Sequence, residues 1–297
     1  MQFRTLGSTG LKISVVGIGT WQFGGEWGKD FAQEEVTAML ARGRELGINF
    51  IDTAECYGDH LSEALIGGAI AQRRADWIVA TKFGHKYHAH MTRSEPRTAA
   101  DVVKQLEASL KALKTDYIDI YQYHSWGNRD FDQTDVVETL KKQVEAGKVR
   151  FVGNSLASND NLYQADKSTG YRISVLQLIY NRLDRAAERR VLDSAQRQNL
   201  GVLARVPLAS GFLSGKYKPG DEFKPGDVRA GQSNSQRDDK LKLAQEILKN
   251  ELPAGVNPAQ WALAWCLKNP LITAVIPGCK SVEQVESNAA AAELKIP

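Results

Sequence analysis

Hydrophobic positions along the chain follow two alternating rhythms. Short β-branched runs such as "VVGIG" (15–19), "NFID" (49–52) and "WIVATK" (77–82) are each followed by a longer stretch with one apolar face, as in Val36, Met39, Leu40 and Leu46. The runs read as buried strands, and the stretches, with a period near 3.6, as amphipathic helices. A helix near 60–73 follows the second run, and one carrying Val102, Leu106, Leu110 and Leu113 follows the third. The order continues through "DYIDIYQYH" (116–124) with a helix near 133–146, then "VRFVG" (149–153) with a short helix. Next come "SVLQLIY" (174–180) with a helix near 187–199, "GVLARV" (201–206) and "ITAVIPG" (272–278). Eight strand-then-helix units predict an α/β fold, a (β/α)8 TIM barrel, as one domain over residues 1–297.

Two segments fall outside that repeat. Residues 1–14, with Gly7 and Gly10 between two short β-like pieces, predict an N-terminal β-hairpin. Residues 209–236, rich in Gly, Pro, Ser, Asn and Gln, predict a long loop after strand seven, followed by an extra charged helix near 236–250. A connection that long inside a compact domain is often a functional lid.

Composition narrows the function classes. The 297 residues are 42% hydrophobic, enough for a large core, and 38 basic against 35 acidic residues leave a net charge of +3 without like-charge blocks. That balance argues against a nucleic-acid partner. The first twenty residues lack the apolar run of a signal peptide, and no stretch of eighteen apolar residues could cross a membrane, so the expectation is a soluble cytoplasmic protein. Oligomeric state is left open. Cys56, Cys266 and Cys279 are too few and too scattered for a disulfide framework or a thiolate zinc site and read as buried packing.

Active sites of this fold use the C-terminal ends of the strands. Four polar residues stand there: Asp52, Tyr57, Lys82 and His124. Each alone has an ordinary structural explanation, as a cap, a core aromatic, a rim lysine or a hydrogen-bonded core histidine. Together they are complementary. An ammonium beside a tyrosine favours the phenolate and lowers its pKa, a carboxylate can hold that lysine, and a neutral histidine can orient a carbonyl oxygen. The set supplies a proton donor and an oxyanion site without a nucleophile or a metal, which suits carbonyl reduction with hydride from a cofactor.

The segments carrying these residues, "FIDTAECYG", "ATKFG" and "YIDIYQYH", together with "GIGTW", "PLASGFLSGKY" (207–217) and "IPGCKSVEQVESN" (276–288), resemble the aldo-keto reductases over nearly the whole chain. The resemblance implies an NADPH-dependent reductase of small aldehydes or ketones with an Asp52, Tyr57, Lys82 and His124 tetrad and Tyr57 as general acid. It also implies that Thr20 and Trp21 border nicotinamide and substrate, while Ser155 and Gln177 hold the carboxamide. Pro207, Leu208, Gly211, Leu213 and Lys216 would pass over the pyrophosphate. Gly278, Lys280, Ser281, Gln284 and Asn288 would bind the adenosine 2'-phosphate and adenine, a role to which a lysine at a helix N-terminus is suited.

Two positions depart from the family pattern. Leu156 stands where Asn commonly follows Ser155, and Arg205 stands where an aromatic commonly stacks on the nicotinamide. A planar guanidinium can also stack, but its charge should favour the reduced cofactor; equal affinities for NADP and NADPH would refute that expectation. Substrate contacts are expected from Trp21, Tyr57, His124 and Trp126, with Phe23, Trp27, Phe83 and Tyr87 as further candidates for an apolar mouth. His85, His88 and His90 lack a further ligand at convincing spacing, so no metal is expected. Two alternatives remain open: a sugar or polyol dehydrogenase acting mainly in the oxidative direction, and a cofactor-sensing regulatory subunit similar to potassium-channel beta subunits.

Overall fold

The computed structural model describes residues 1–296. Strands β1 (Phe3–Thr5) and β2 (Lys12–Ser14) pair as an antiparallel hairpin. Eight parallel strands follow: β3 (Ile18–Gly19), β4 (Phe50–Asp52), β5 (Ile78–Phe83), β8 (Ile118–His124), β9 (Val149–Ser155), β10 (Ile173–Ile179), β11 (Gly201–Arg205) and β12 (Ala274–Val275), neighbours in that order. Bridges Val16 to Val275 and Gly19 to Gly278 join the last strand to the first and close the barrel. A second small hairpin, β6 (Lys86–Ala89) and β7 (Thr92–Ser94), rises after β5.

Alternation along each strand decides what fills the barrel. Side chains two apart share a face, so Phe50 and Asp52 point alike, as do Ile78, Ala80 and Lys82, or Ile120, Gln122 and His124. The lower positions are apolar: Phe50, Ala80, Ile120, Val175, Leu203 and Ala274 form one cluster with Leu6, Leu11 and Ile13 of the N-terminal hairpin, which plugs the bottom. The upper positions are polar. Register sets Lys82 beside Gln122, His124 beside Ser155, and Ser155 beside Gln177. Gly153 is required here, because a Cβ would stand 2.7 Å from the Gln122 side chain.

Helices α1 (Gln33–Glu45), α2 (Leu61–Ile70), α3 (Ala99–Leu113), α4 (Asn128–Phe131), α5 (Thr134–Glu145), α6 (Leu162–Lys167) and α7 (Val191–Arg197) lie along the chain between strands, with α8 (Asn234–Glu251) and α9 (Pro258–Lys268) after β11 and α10 (Val282–Ala290) after β12. Their apolar stripes, Val36, Met39 and Leu40 on α1 or Val102, Leu106 and Leu110 on α3, join the outward strand residues in the main core. Local signals fix several starts. Thr98 accepts from the Asp101 amide at the head of α3, and Asn257 caps α9 just before Pro258. The extra helix after strand seven is α8, near the expected 236–250. The β6–β7 hairpin is the element that the hydrophobic rhythm did not announce, since its residues are largely exposed and polar and carry no apolar face. No helix among the described residues is long and apolar enough to cross a membrane.

Candidate active site

Asp52 ends β4, Lys82 lies near the end of β5 and His124 ends β8, so register alone brings three of the four expected groups to one rim. Tyr57 arrives from the tight connection between β4 and α2, where Gly58 takes a φ of +68° and Asp59 and His60 also adopt positive φ. Glu55 anchors that connection by accepting from the amides of Gly84 and His85.

Lys82 Nζ donates to Asp52 Oδ1 at 2.6 Å and to the Thr53 carbonyl at 2.7 Å, and stands 3.4 Å from Tyr57 Oη. It is 1% exposed, so the ion pair sits out of water. The other Asp52 oxygen accepts from Gln177 Nε2 at 2.6 Å and Gln122 Nε2 at 3.2 Å, while Ser155 Oγ donates to Gln177 at 3.3 Å. Asp52 therefore has a cation on one oxygen and two amides on the other, which is how a buried carboxylate is tolerated. Of the two residues expected at a carboxamide, Gln177 lines the cavity and braces Asp52, while Ser155 is buried behind it and braces Gln177. Gln122 was not foreseen, although its place between Ile120 and His124 in "IYQYH" puts it on the inward face.

Charge states follow from the surroundings. Burial pulls the Lys82 ammonium down, but Asp52 and Tyr57 outweigh it, and Lys82 ends above its ordinary value. For Tyr57 the expectation is corrected: burial pushes the phenol up by more than Lys82 pulls it down, so its value is raised rather than lowered. His124 is held well below 6.5 by burial and then by the neighbouring His85, Lys82, Arg205 and Arg93, so it is neutral at neutral pH.

Asp52, Tyr57 and His124 open into a cavity of about 660 Å³, with Lys82 buried behind them. At the catalytic end it is walled by Trp21, Trp27, Cys56, His85, Met91 and Arg93. Trp21 stacks on Tyr57 with ring centroids 5.9 Å apart, and its indole donates to Glu26, which also binds the Met91 amide and Arg93. Thr20 lines the cavity and donates from Oγ1 to the Asp52 carbonyl at 3.0 Å. From there the cavity runs along Arg205, Pro207, Leu208, Gly211 and Lys216 to Gly278, Lys280, Gln284 and Asn288. Ser281 does not reach it; its hydroxyl caps α10 by accepting from the Gln284 amide. Lys280 Nζ lies against the Trp27 carbonyl at 2.6 Å. Arg229, which the sequence reading did not select, joins Lys216 and Lys280 in the lining while bound to Asp227.

Residues 26–28 and 226–228 clasp across this groove: Gly28 N–H donates to the Gly226 carbonyl, Val228 N–H to that of Glu26, and Trp27 bridges Asp227. The clasp lies within the loop expected as a lid. Arg205 Nη2 donates to the Leu156 carbonyl at 3.1 Å, so the two departures from the family pattern touch, and Arg205 Nε is buried without a partner.

Several expected contacts are corrected, among them Tyr87, which sits on the β6–β7 hairpin beside Arg93 and does not line the cavity. Trp126 is fully buried and packs on Phe83 and Tyr123 outside the barrel wall, away from the cavity, as do Phe83 itself and Phe23 in the core. Leu213 turns into a satellite core with Leu241 and Trp261, and does not line the cavity. An apolar aromatic near a strand end can serve core or mouth equally, and only the three-dimensional direction separates the two. The three histidines after strand three diverge: His85 meets His124, His88 binds Ser94, and His90 is exposed.

A model of the Aldo/keto reductase family matches residues 15–297, and the chain belongs to that family of oxidoreductases. It is 31% identical over 294 residues to aldo-keto reductase yakc of Schizosaccharomyces pombe, whose name carries NADP(+), covering 96% of this chain and 85% of that one. It is 32% identical to L-galactose dehydrogenase of Arabidopsis thaliana, with 98% and 88% covered. The holo form of an aldo-keto reductase from Bacillus halodurans superposes with a TM-score of 0.82 at 28% identity, over 100% of this chain and 92% of that one.

Proposed function

We propose that the protein reduces aldehydes or ketones to alcohols with NADPH, using Tyr57 as the general acid. The observation that carries this reading is the buried Lys82, 2.6 Å from Asp52 and 3.4 Å from the Tyr57 hydroxyl, at the floor of the cavity. That arrangement puts a proton donor and its stabilising charge at one point.

The groove's donors fit a dinucleotide. Arg205 keeps a buried donor unpaired beside the tetrad, and Lys216, Arg229 and Lys280 gather cations toward the other end. Gly278 leaves room beside Gln22, where a Cβ would collide at 2.1 Å, and Gln22 Oε1 is a buried acceptor without a partner. Gln177, braced by Ser155, would meet the carboxamide; Lys280 and the first turn of α10 would meet the 2'-phosphate. Bound there, NADPH supplies the hydride.

The chain's own residues do the rest. Tyr57 Oη gives its proton to the carbonyl oxygen of the substrate. The Lys82 ammonium stabilises the phenolate left behind, more strongly because water is excluded. Asp52 fixes Lys82, and Gln122 and Gln177 fix Asp52. Neutral His124 presents an N–H to the same oxygen and adds no charge that would repel a cationic ring. Trp21 and Trp27 exclude water from the mouth. The test is loss of NADPH absorbance with a panel of aldehydes, ketones and aldoses: turnover that vanishes in Tyr57→Phe is expected, and full turnover in that variant would sink the mechanism.

A further inference from the structure

Cys56 precedes Tyr57 and is buried, with its sulfur 3.7 Å from Nδ1 of His124. A neutral imidazole carries one N–H and one lone pair, and the partner of one nitrogen decides where the proton sits. Arg93 lines the same end of the cavity as Cys56 and is anchored on the buried carboxylate of Glu26. An imidazole lone pair is a stronger acceptor than a thiol sulfur, so the favoured pairing at this contact is S–H to Nδ1.

We propose that Cys56 is a positioning residue: its thiol donates to Nδ1 of His124 and so holds the ring as the Nε2–H tautomer, with that N–H free to meet a carbonyl oxygen in the cavity. The thiol keeps the proton this needs, because burial pushes its pKa up to about 11. The imidazole has a bare nitrogen to offer the thiol because it stays neutral.

This inference rests on the reading of His124 as the group that faces the carbonyl, and its test is chosen to fail separately from it. Long-range proton–nitrogen NMR of the full chain, without cofactor or substrate, reports the tautomer directly. In the unsubstituted protein Nδ1 should be the bare nitrogen. In Cys56→Ala the two tautomers should mix, and carbonyl reduction should fall about three- to tenfold, the ratio one ordinary hydrogen bond sets, with KM for NADPH unchanged. Cys56→Ser keeps a donor and should restore both readouts. A proton on Nδ1 in the unsubstituted protein, or a Cys56→Ala spectrum identical to it, would overturn the proposal. Absence of turnover with every carbonyl would instead refute the reductase reading and leave the tautomer result standing on its own.

Discussion

Replacing Lys82 by Met removes one charge of nearly equal chain length and tests the tetrad in two independent ways. The stability term comes first. Breaking a buried ion pair typically costs about 3 to 5 kcal/mol, because the remaining charge is stranded. Here Asp52 keeps two amide donors, from Gln122 and Gln177, which places the loss near the lower end, about 3 kcal/mol. The Thr53 carbonyl also loses its donor, for about 1 kcal/mol more. The activity term is the charge beside the phenolate. At the observed 3.4 Å and an effective dielectric near 20, that interaction amounts to about 5 kcal/mol, so turnover should fall by about 10³-fold or more. Urea melts and NADPH consumption measure the two terms. The partnership itself is tested by a cycle with Asp52→Asn: the double variant should be less destabilised than the sum of the singles, by about 2 kcal/mol or more. Additivity within about 0.5 kcal/mol would refute the claim that these two charges hold each other.

Tyr57→Phe should lower turnover by about 10²- to 10⁴-fold while leaving NADPH affinity and the melting curve nearly unchanged; fluorescence titration beside kinetics separates the two. Lys280→Ala should weaken NADPH about fivefold and leave NADH alone, a modest effect because the group is half-exposed and its bond to the Trp27 carbonyl must be given up; an equal loss for both cofactors would show that it does not read the 2'-phosphate. His124 is held well below its ordinary value, so the folded chain excludes a proton that the unfolded chain takes up below about pH 6.5. Stability is then full above that pH and falls as the pH drops, by up to about 1.4 kcal/mol per pH unit, and His124→Gln should flatten the slope; an unchanged slope would contradict the assignment.

The fold was legible because both rhythms persist through the chain: eight strand runs and the helices after them carry enough apolar residues for their periods to be read. Asp52, Lys82 and His124 were legible from position, since each ends or nearly ends its strand. What escaped notice acts through direction or distance. Trp126 and Leu213 lie on the right segments but turn away from the cavity. Gln122 looked like one polar residue in an apolar strand, yet two-residue alternation from His124 could have found it. Arg229 and Glu26 come from loops that meet only across the groove, and no local pattern marks such a meeting. The direction of the Tyr57 shift was misjudged because a neighbour's charge can be read from a sequence, while the depth of burial that opposes it cannot.

The layering of the barrel interior separates two kinds of mutational tolerance. Ala80, Ile120 and Val175 sit in the apolar layer under the site, while Lys82, Gln122 and Gln177 sit one inward position higher on the same three strands. A step of two residues thus moves a substitution from a position that folding governs to one that chemistry governs. A library built on the lower triplet should be sorted by solubility and melting temperature, with turnover per folded molecule nearly constant. One built on Gln122 and Gln177, whose amides satisfy Asp52, should spread in turnover even among the variants that still fold. The lower layer therefore reports on folding alone and the upper layer on folding and chemistry together, the two stacked along a single axis.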